Sequence, residues 1–253
     1  MEILMKKVYY EKGEEGGCLY MESAGVKKGI SSDLLKWIAI ITMFIDHIGA
    51  AIVEKTWLMG ETYGKPLDTT LRLVGRLAFP IFCFLLVEGL YYTRNRIKYL
   101  RNLFVFALLS EIPFELAFFG EIVWGLRNVY FTLLIGFIMV LMIEKINKEK
   151  GKYDIVLIIL SVAACAMTAE FLHTDYGATG ILLIFILYRL RTDRLSQCIL
   201  SAVAMSYEMT APIAFVLIYA YNGVRRQKYL KYFFYAFYPL HLLFLYWVRM
   251  TFF

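Results

Sequence analysis

Cysteine, histidine and proline are scarce in this chain of 253 residues, which holds four, three and five of them. Cys18, Cys83, Cys165 and Cys198 show neither paired nor metal-ligand spacing, so they read as unbonded structural thiols rather than a disulfide framework or a metal site. No glycine-rich phosphate loop, metal constellation or serine-nucleophile elbow is present, which removes the usual sequence grounds for those chemistries. There is no internal repeat and no low-complexity tract. Residues 1–28 lack a sustained apolar run, so they are neither a signal peptide nor a membrane span. A flexible cytoplasmic tail is expected there, with Met21 as an alternative start.

Apolar residues are in excess. The chain is 60% hydrophobic and 17% aromatic, with a mean hydropathy of +0.60, whereas soluble chains run at roughly 45–50% apolar. The excess falls in runs near Leu34–Val53, Leu73–Tyr92, Leu103–Phe119, Val129–Ile143, Ile155–Leu172, Gly177–Leu190, Gln197–Tyr207, Ala211–Tyr221 and Tyr232–Arg249. A helix crosses the hydrocarbon core with roughly 20 mostly apolar residues, so an all-α polytopic membrane domain of about nine spans is expected over residues 29–253. The seventh and eighth runs are short. Ser31-Ser32-Asp33 can cap the first helix. A net charge of +6 raises the question of nucleic acid, but the basic residues lie between apolar runs rather than in one stripe, and no nucleic-acid partner is expected.

Their distribution orients the chain. With the N-terminus in the cytoplasm, 21 of the 27 basic residues fall in cytoplasmic segments, which is the positive-inside pattern of a cell-membrane protein. Only Lys55, Lys65, Arg72, Arg76, Arg127 and Arg249 lie on or toward the other side. One missed or invented helix would break this alternation.

The remaining polar residues then gather toward the outer face. Asp46 and His47 lie in the outward half of the first span, Arg72 and Arg76 begin the second, and Glu111 and Glu115 end the third. Asn128 opens the fourth and Glu170 closes the fifth, followed by His173, Asp175 and Tyr176. Glu208 lies in the next external turn, and His241 sits midway along the last span. Each charge at hydrocarbon depth costs at least roughly 2.5–3.5 kcal/mol on insertion scales, so pairing or a shared wet cavity is required. The economical arrangement is one polar cavity in the outer half, walled by Asp46, Arg76, Glu111 and Glu170, with Pro113 kinking the third helix. Arg72 and Arg76 are expected to share a helix face. His47 beside a carboxylate has the make-up of a general base.

Plainer readings exist for each group. Asp46 with Arg76 can be an ion pair that fixes helix register. Glu88 reads as structural or as part of a cytoplasmic entrance. His241 reads as a packed histidine bonded to a neighbouring carbonyl, and His173 with Asp175 and Gly177 as turn chemistry.

Five blocks carry a resemblance. Leu35 to Ala39 with Met43 to Gly49, Gly75 to Phe82, Ser110 to Phe114, His173 to Gly177 and Tyr238 to Leu242 are similar, in order, to the TraX family of conjugal-transfer membrane proteins. The resemblance spans roughly residues 30–249. It implies acyl transfer, since the family's namesake acetylates the N-terminus of the F-type pilin subunit. It also implies kinship with multi-span acyltransferases that carry acyl groups from cytoplasmic acyl-coenzyme A to acceptors beyond the membrane. In that group a histidine on an early span is the expected base, which by position is His47.

The expected mechanism follows from both readings. Acetyl-coenzyme A would approach the basic cytoplasmic face, and an amine or hydroxyl of an extracytoplasmic peptide, glycan or lipid would enter from outside. His47, held by Asp46, would take the acceptor proton, with Arg76 stabilising the oxyanion. Glu111, Asn128, Glu170, His173, Asp175, Tyr176 and His241 are the expected substrate-binding residues, and no metal is expected. The rival readings are a secondary transporter, for which two related halves would be diagnostic, and a non-enzymatic assembly factor for surface structures.

Overall fold

The computed structural model describes residues 28–123, 125–224 and 231–253. The tail expected over residues 1–28, apart from Lys28, therefore lies outside the described residues, as do Cys18, Met21, Arg225, Arg226 and Lys228.

Every apolar run becomes helical, and no strand forms among the described residues. The first run is α1 (Ser32–Ile48), which Ser31 caps by accepting from the Leu34 N–H at 3.3 Å. Directly after His47 and Ile48 the helix widens into one π turn, Gly49–Val53. The second run divides into α2 (Gly64–Gly75) and α3 (Ala78–Tyr92), separated by a turn at Arg76 and Leu77. A Cβ on Gly75 would stand 2.1 Å from that of Asp46, so the end of α2 lies hard against α1.

The third run is α4 (Arg96–Phe119), capped by Asn95 and ended by Gly120 in the left-handed region at φ 81°. Pro113 lies inside α4, which continues on both sides of it. Then come α5 (Val129–Glu149), capped by Asn128, α6 (Asp154–Phe171) and α7 (Gly177–Arg189). Next are α8 (Arg194–Ala204), capped by Asp193, a 3-10 turn at Ala211–Ile213, α9 (Ala214–Tyr219) and α10 (Lys231–Phe252).

Helix α10 packs along α4 and also touches α1 and the π turn, which closes the bundle. Phe84, Ile81, Phe137, Met139 and Ile184 are fully buried between α3, α5 and α7. Cys83, Cys165 and Cys198 are buried and unbridged. Arg249 donates to the carbonyls of Ala51 in the π turn at 3.1 Å and of Ala117 at 2.8 Å and Leu116 at 2.9 Å near the end of α4, which ties α10 to both. Glu88 is buried and paired with Arg191 at 2.8 Å, and that guanidinium lies 3.5 Å over the Tyr91 ring, a structural clamp.

Five helical stretches among the described residues are long and apolar enough to cross a membrane: Ser32–Val53, Gly64–Tyr92, Arg96–Phe119, Val129–Glu149 and Asp154–Phe171. Gly177–Arg189 is apolar but shorter.

Candidate functional site

Between α1, α2, α3, α4 and the turn before α7 lies a cavity of about 230 Å³. One wall is polar and comes from Asp46, His47, Glu54, Lys55, Arg72 and Arg76, joined by Asp175 and Tyr176. The lining is also aromatic, from Phe79 and Phe82 on α3, Phe114, Phe118 and Phe119 on α4, and Tyr238 on α10.

The carboxylate of Asp46 pairs with Arg72, not with Arg76 as the sequence suggested. Its second oxygen is buried without a hydrogen-bond partner among the described residues. Arg76 instead binds Glu208 through Nε at 2.9 Å. Arg76 caps the end of α2, its N–H donating to the Arg72 carbonyl at 3.2 Å, so the two arginines stand one turn apart and both line the cavity.

His47 does not engage Asp46 either. Its Nδ1 lies 2.6 Å from Nε2 of His241, and His241 Nδ1 lies 2.7 Å from the Phe237 carbonyl. The two imidazoles are near parallel, 7° apart with centroids 4.9 Å apart. Phe118 meets the His47 ring edge to face at 5.1 Å. His241 is thus bonded to a neighbouring carbonyl as the sequence suggested, and to His47 besides.

The segment before α7 is pinned from two sides. The Asp175 N–H donates to the Arg127 carbonyl and the Arg127 N–H to the His173 carbonyl, each at 2.9 Å, while Thr132 Oγ1 donates to the Asp175 carbonyl. Tyr176 adopts φ 65° and stacks on Phe79 with centroids 3.6 Å apart. Burial pushes the Asp175 carboxyl up to about 6; the Asp46 charge adds to this, while Arg76 and Arg72 oppose it. Burial likewise raises the Tyr176 phenol, and the nearby Asp175 charge raises it further.

Two expected walls are elsewhere. Glu111 pairs with Arg127 at 2.8 Å and accepts from Asn128 Nδ2 at 2.6 Å, which ties α4 to the start of α5. Glu170 accepts the Ala178 N–H at 2.7 Å, a carboxylate at the N-terminus of α7, where the helix dipole favours negative charge. The His173 side chain is exposed. Neither Glu111, Asn128, Glu170 nor His173 lines the cavity. Sequence reasoning gave no role to Phe118, Phe119 or Glu54, and treated Arg72 only as a neighbour of Arg76. A charge at the edge of an apolar run was the one available signal for Arg72; the phenylalanines look like any lipid-facing aromatics.

Apolar helices of spanning length around a cavity with two arginines, carboxylates and an imidazole define a helical membrane protein with an internal ionisable site. The chain belongs to the TraX family, whose pattern, described as TraX protein, matches residues 31–249. The probable fimbrial assembly protein FimC, serogroup H1, of Dichelobacter nodosus is 28% identical over 238 residues, covering 82% of this chain and 91% of that protein. An uncharacterised protein of Rickettsia prowazekii (strain Madrid E) is 44% identical over 52 residues, 21% of this chain and 16% of that protein. No solved structure matches the chain.

Proposed function

We propose that this protein is a membrane-embedded acyltransferase that moves an acyl group, acetyl in the simplest case, from cytoplasmic acyl-coenzyme A to an amine or hydroxyl of an extracytoplasmic peptide, glycan or lipid. The carrying observation is the His47 imidazole at the cavity wall, hydrogen-bonded on one nitrogen and set among Asp46, Arg72 and Arg76. The family resemblance supports the same chemistry.

In this reading the chain crosses the cell membrane about nine times with its N-terminus inside, which puts the cavity in the outer half. Helix α8 has 11 residues, roughly 16 Å at 1.5 Å per residue. It and α9 are shorter than the hydrocarbon core and require local thinning or shielding by neighbouring helices. Basic residues at the cytoplasmic end attract the coenzyme A phosphates, and the thioester extends to the cavity.

His47 accepts the proton of the acceptor N–H or O–H as that atom attacks the thioester carbonyl. The resulting oxyanion is stabilised by a guanidinium, Arg76 or Arg72. Collapse breaks the C–S bond, and the coenzyme A thiolate leaves with the proton that His47 held. The products are the acylated acceptor and the free thiol.

The name of the Dichelobacter nodosus relative favours a second reading, a non-enzymatic assembly factor for surface structures. Incubating purified protein with labelled acetyl-coenzyme A and an extract of surface peptides, lipids and glycans separates the two. Transfer of label by the wild type and its loss in His47→Ala is the expected result, since a general base contributes roughly 10²–10⁴-fold to rate. Transfer unaffected by His47→Ala, His173→Ala and His241→Ala would exclude histidine-based chemistry, and no transfer by the wild type would leave the assembly reading.

A further inference from the structure

The distances around His241 carry more than a contact. A carbonyl oxygen only accepts, so the 2.7 Å approach of His241 Nδ1 to the Phe237 carbonyl puts a proton on Nδ1. A neutral imidazole with Nδ1–H offers a lone pair at Nε2, and that nitrogen lies 2.6 Å from His47 Nδ1. His47 must therefore donate from Nδ1. The near-parallel rings, 7° apart and joined nitrogen to nitrogen, place this contact close to the ring planes, the direction in which an imidazole N–H points. What remains is His47 Nε2, and His47, not His241, lines the cavity.

We propose that His241 is a positioning residue that fixes the tautomer of His47, holding its proton on Nδ1 and leaving Nε2 bare toward the cavity. The chain of three groups, Phe237 carbonyl to His241 to His47, has one direction only, because its far end cannot donate. The partner imidazole thus takes the part that the sequence assigned to Asp46, which is committed to Arg72. Helix geometry supplies the anchor: residues four apart lie on one helix face, so the carbonyl of Phe237 is within reach of the His241 ring. Phe237 also stacks on that ring with centroids 4.8 Å apart and limits its rotation.

The functional consequence rests on the acyltransferase reading, while the tautomer itself can be measured without any activity. The full chain, labelled with ¹⁵N-histidine and held in lipid nanodiscs, reports protonated and bare imidazole nitrogens by their separate ¹⁵N shifts. Wild-type His47 is expected to show Nδ1–H with bare Nε2, assigned by loss of its signals in His47→Ala. A wild-type His47 protonated on Nε2 would overturn the proposal whatever the turnover.

Two substitutions then separate packing from hydrogen bonding. His241→Phe keeps a ring against Phe44 and Phe237 but offers no acceptor, whereas His241→Gln offers an amide oxygen to His47. The phenylalanine variant should lose the tautomer preference and about 10–100-fold in kcat with KM little changed, by analogy with the loss of a partner that orients a metal-bound imidazole. The glutamine variant should keep both better. Equal tautomer populations in the two variants would reject the assignment. A tautomer that follows these expectations in a protein that transfers no label would leave the assignment standing and remove the enzymatic reading.

Discussion

Asp46 and His47 are neighbours in sequence, yet they serve different networks, because adjacent residues on a helix point about 100° apart and do not face each other. Asp46 turns to Arg72 on α2, and His47 turns to His241 on α10. Both residues stood out in the sequence as polar side chains in an apolar run. Arg72 and His241 stood out as well, but the pairings did not, since the partners lie 26 and 194 residues away and no local spacing encodes them. Arg76 shows what such pairing demands. Its Nε binds Glu208 and its side chain also bonds Tyr176 at the cavity wall, a set of directed contacts that a lysine ammonium cannot reproduce. Arg76→Lys should therefore reduce acyl transfer by about 10–100-fold, the equivalent of a charged hydrogen bond worth roughly 1.5–3 kcal/mol. Initial rates with labelled acetyl-coenzyme A measure it, and full activity in the lysine variant would reduce Arg76 to a counter-charge.

Asp175 adds a pH dependence. Its carboxyl is raised from 3.8 to about 6 in the folded protein, chiefly by burial, so the fold binds its proton more tightly than the unfolded chain does. Its stabilising share is present below pH 3.8 and is lost as pH rises toward and through 6. Asp175→Asn cannot ionise. Relative to wild type, the variant should gain thermal midpoint between pH 5 and pH 7.5; a constant difference across that range would show that Asp175 does not titrate there.

At the scale of elements, the apolar runs were legible because bilayer length and hydropathy leave little choice. Breaks inside a run were less so: Leu73–Tyr92 reads as one continuous segment, whereas the structure turns at Arg76 and Leu77, beside the contact of Gly75 with Asp46. That contact is testable. Gly75→Ala places a methyl group 2.1 Å from Asp46 Cβ and must part α1 from α2; overpacking of this kind costs typically about 1–3 kcal/mol. A lowered thermal midpoint in detergent together with weakened acyl transfer is expected, and an unchanged midpoint would mean the helices sit farther apart. Glu111 and Glu170 were misplaced for a related reason: a carboxylate at a helix end reads the same whether it walls a cavity or holds a backbone N–H. Pro239 shows a loss made good across helices. Lacking an N–H, it frees the Tyr235 carbonyl, which accepts from the Tyr130 hydroxyl at 3.1 Å. Tyr130→Phe should cost about 1 kcal/mol by removing that bond, read as a lower midpoint.

Across the whole molecule, contacts between distant segments sort into two ends. At one end the Ile30 N–H donates to the Ala220 carbonyl and the Asn222 N–H to the Ile30 carbonyl, both at 2.9 Å, which joins the approach to α1 with the exit from α9. Glu88 near the end of α3 meets Arg191 after α7, and Arg96 at the start of α4 meets Glu144 late in α5, so these turns share the same parity. The other parity gathers Asp46 with Arg72, Arg76 with Glu208, Glu111 with Arg127, and Arg249 with the end of α4. The lysine- and arginine-rich segments 93–101, 145–152 and 189–194 all have the first parity, and Lys55, Lys65 and Arg127 the second. The charge rule and the packing thus divide the loops in the same way, although one depends on insertion and the other on folded contacts. Reporter fusions in cells measure the sidedness directly. A fusion after Lys148 should read cytoplasmic, and fusions after Gly64 and Glu208 should read external. The Glu208 fusion is the most demanding, because it lies between α8 and α9, whose 11 and 6 residues make them the weakest crossings. A cytoplasmic reading there alone would convert α8 into a re-entrant element and leave the cavity facing outward. A cytoplasmic reading at Gly64 would turn the cavity toward the cytoplasm, and an acceptor could no longer reach His47 from outside.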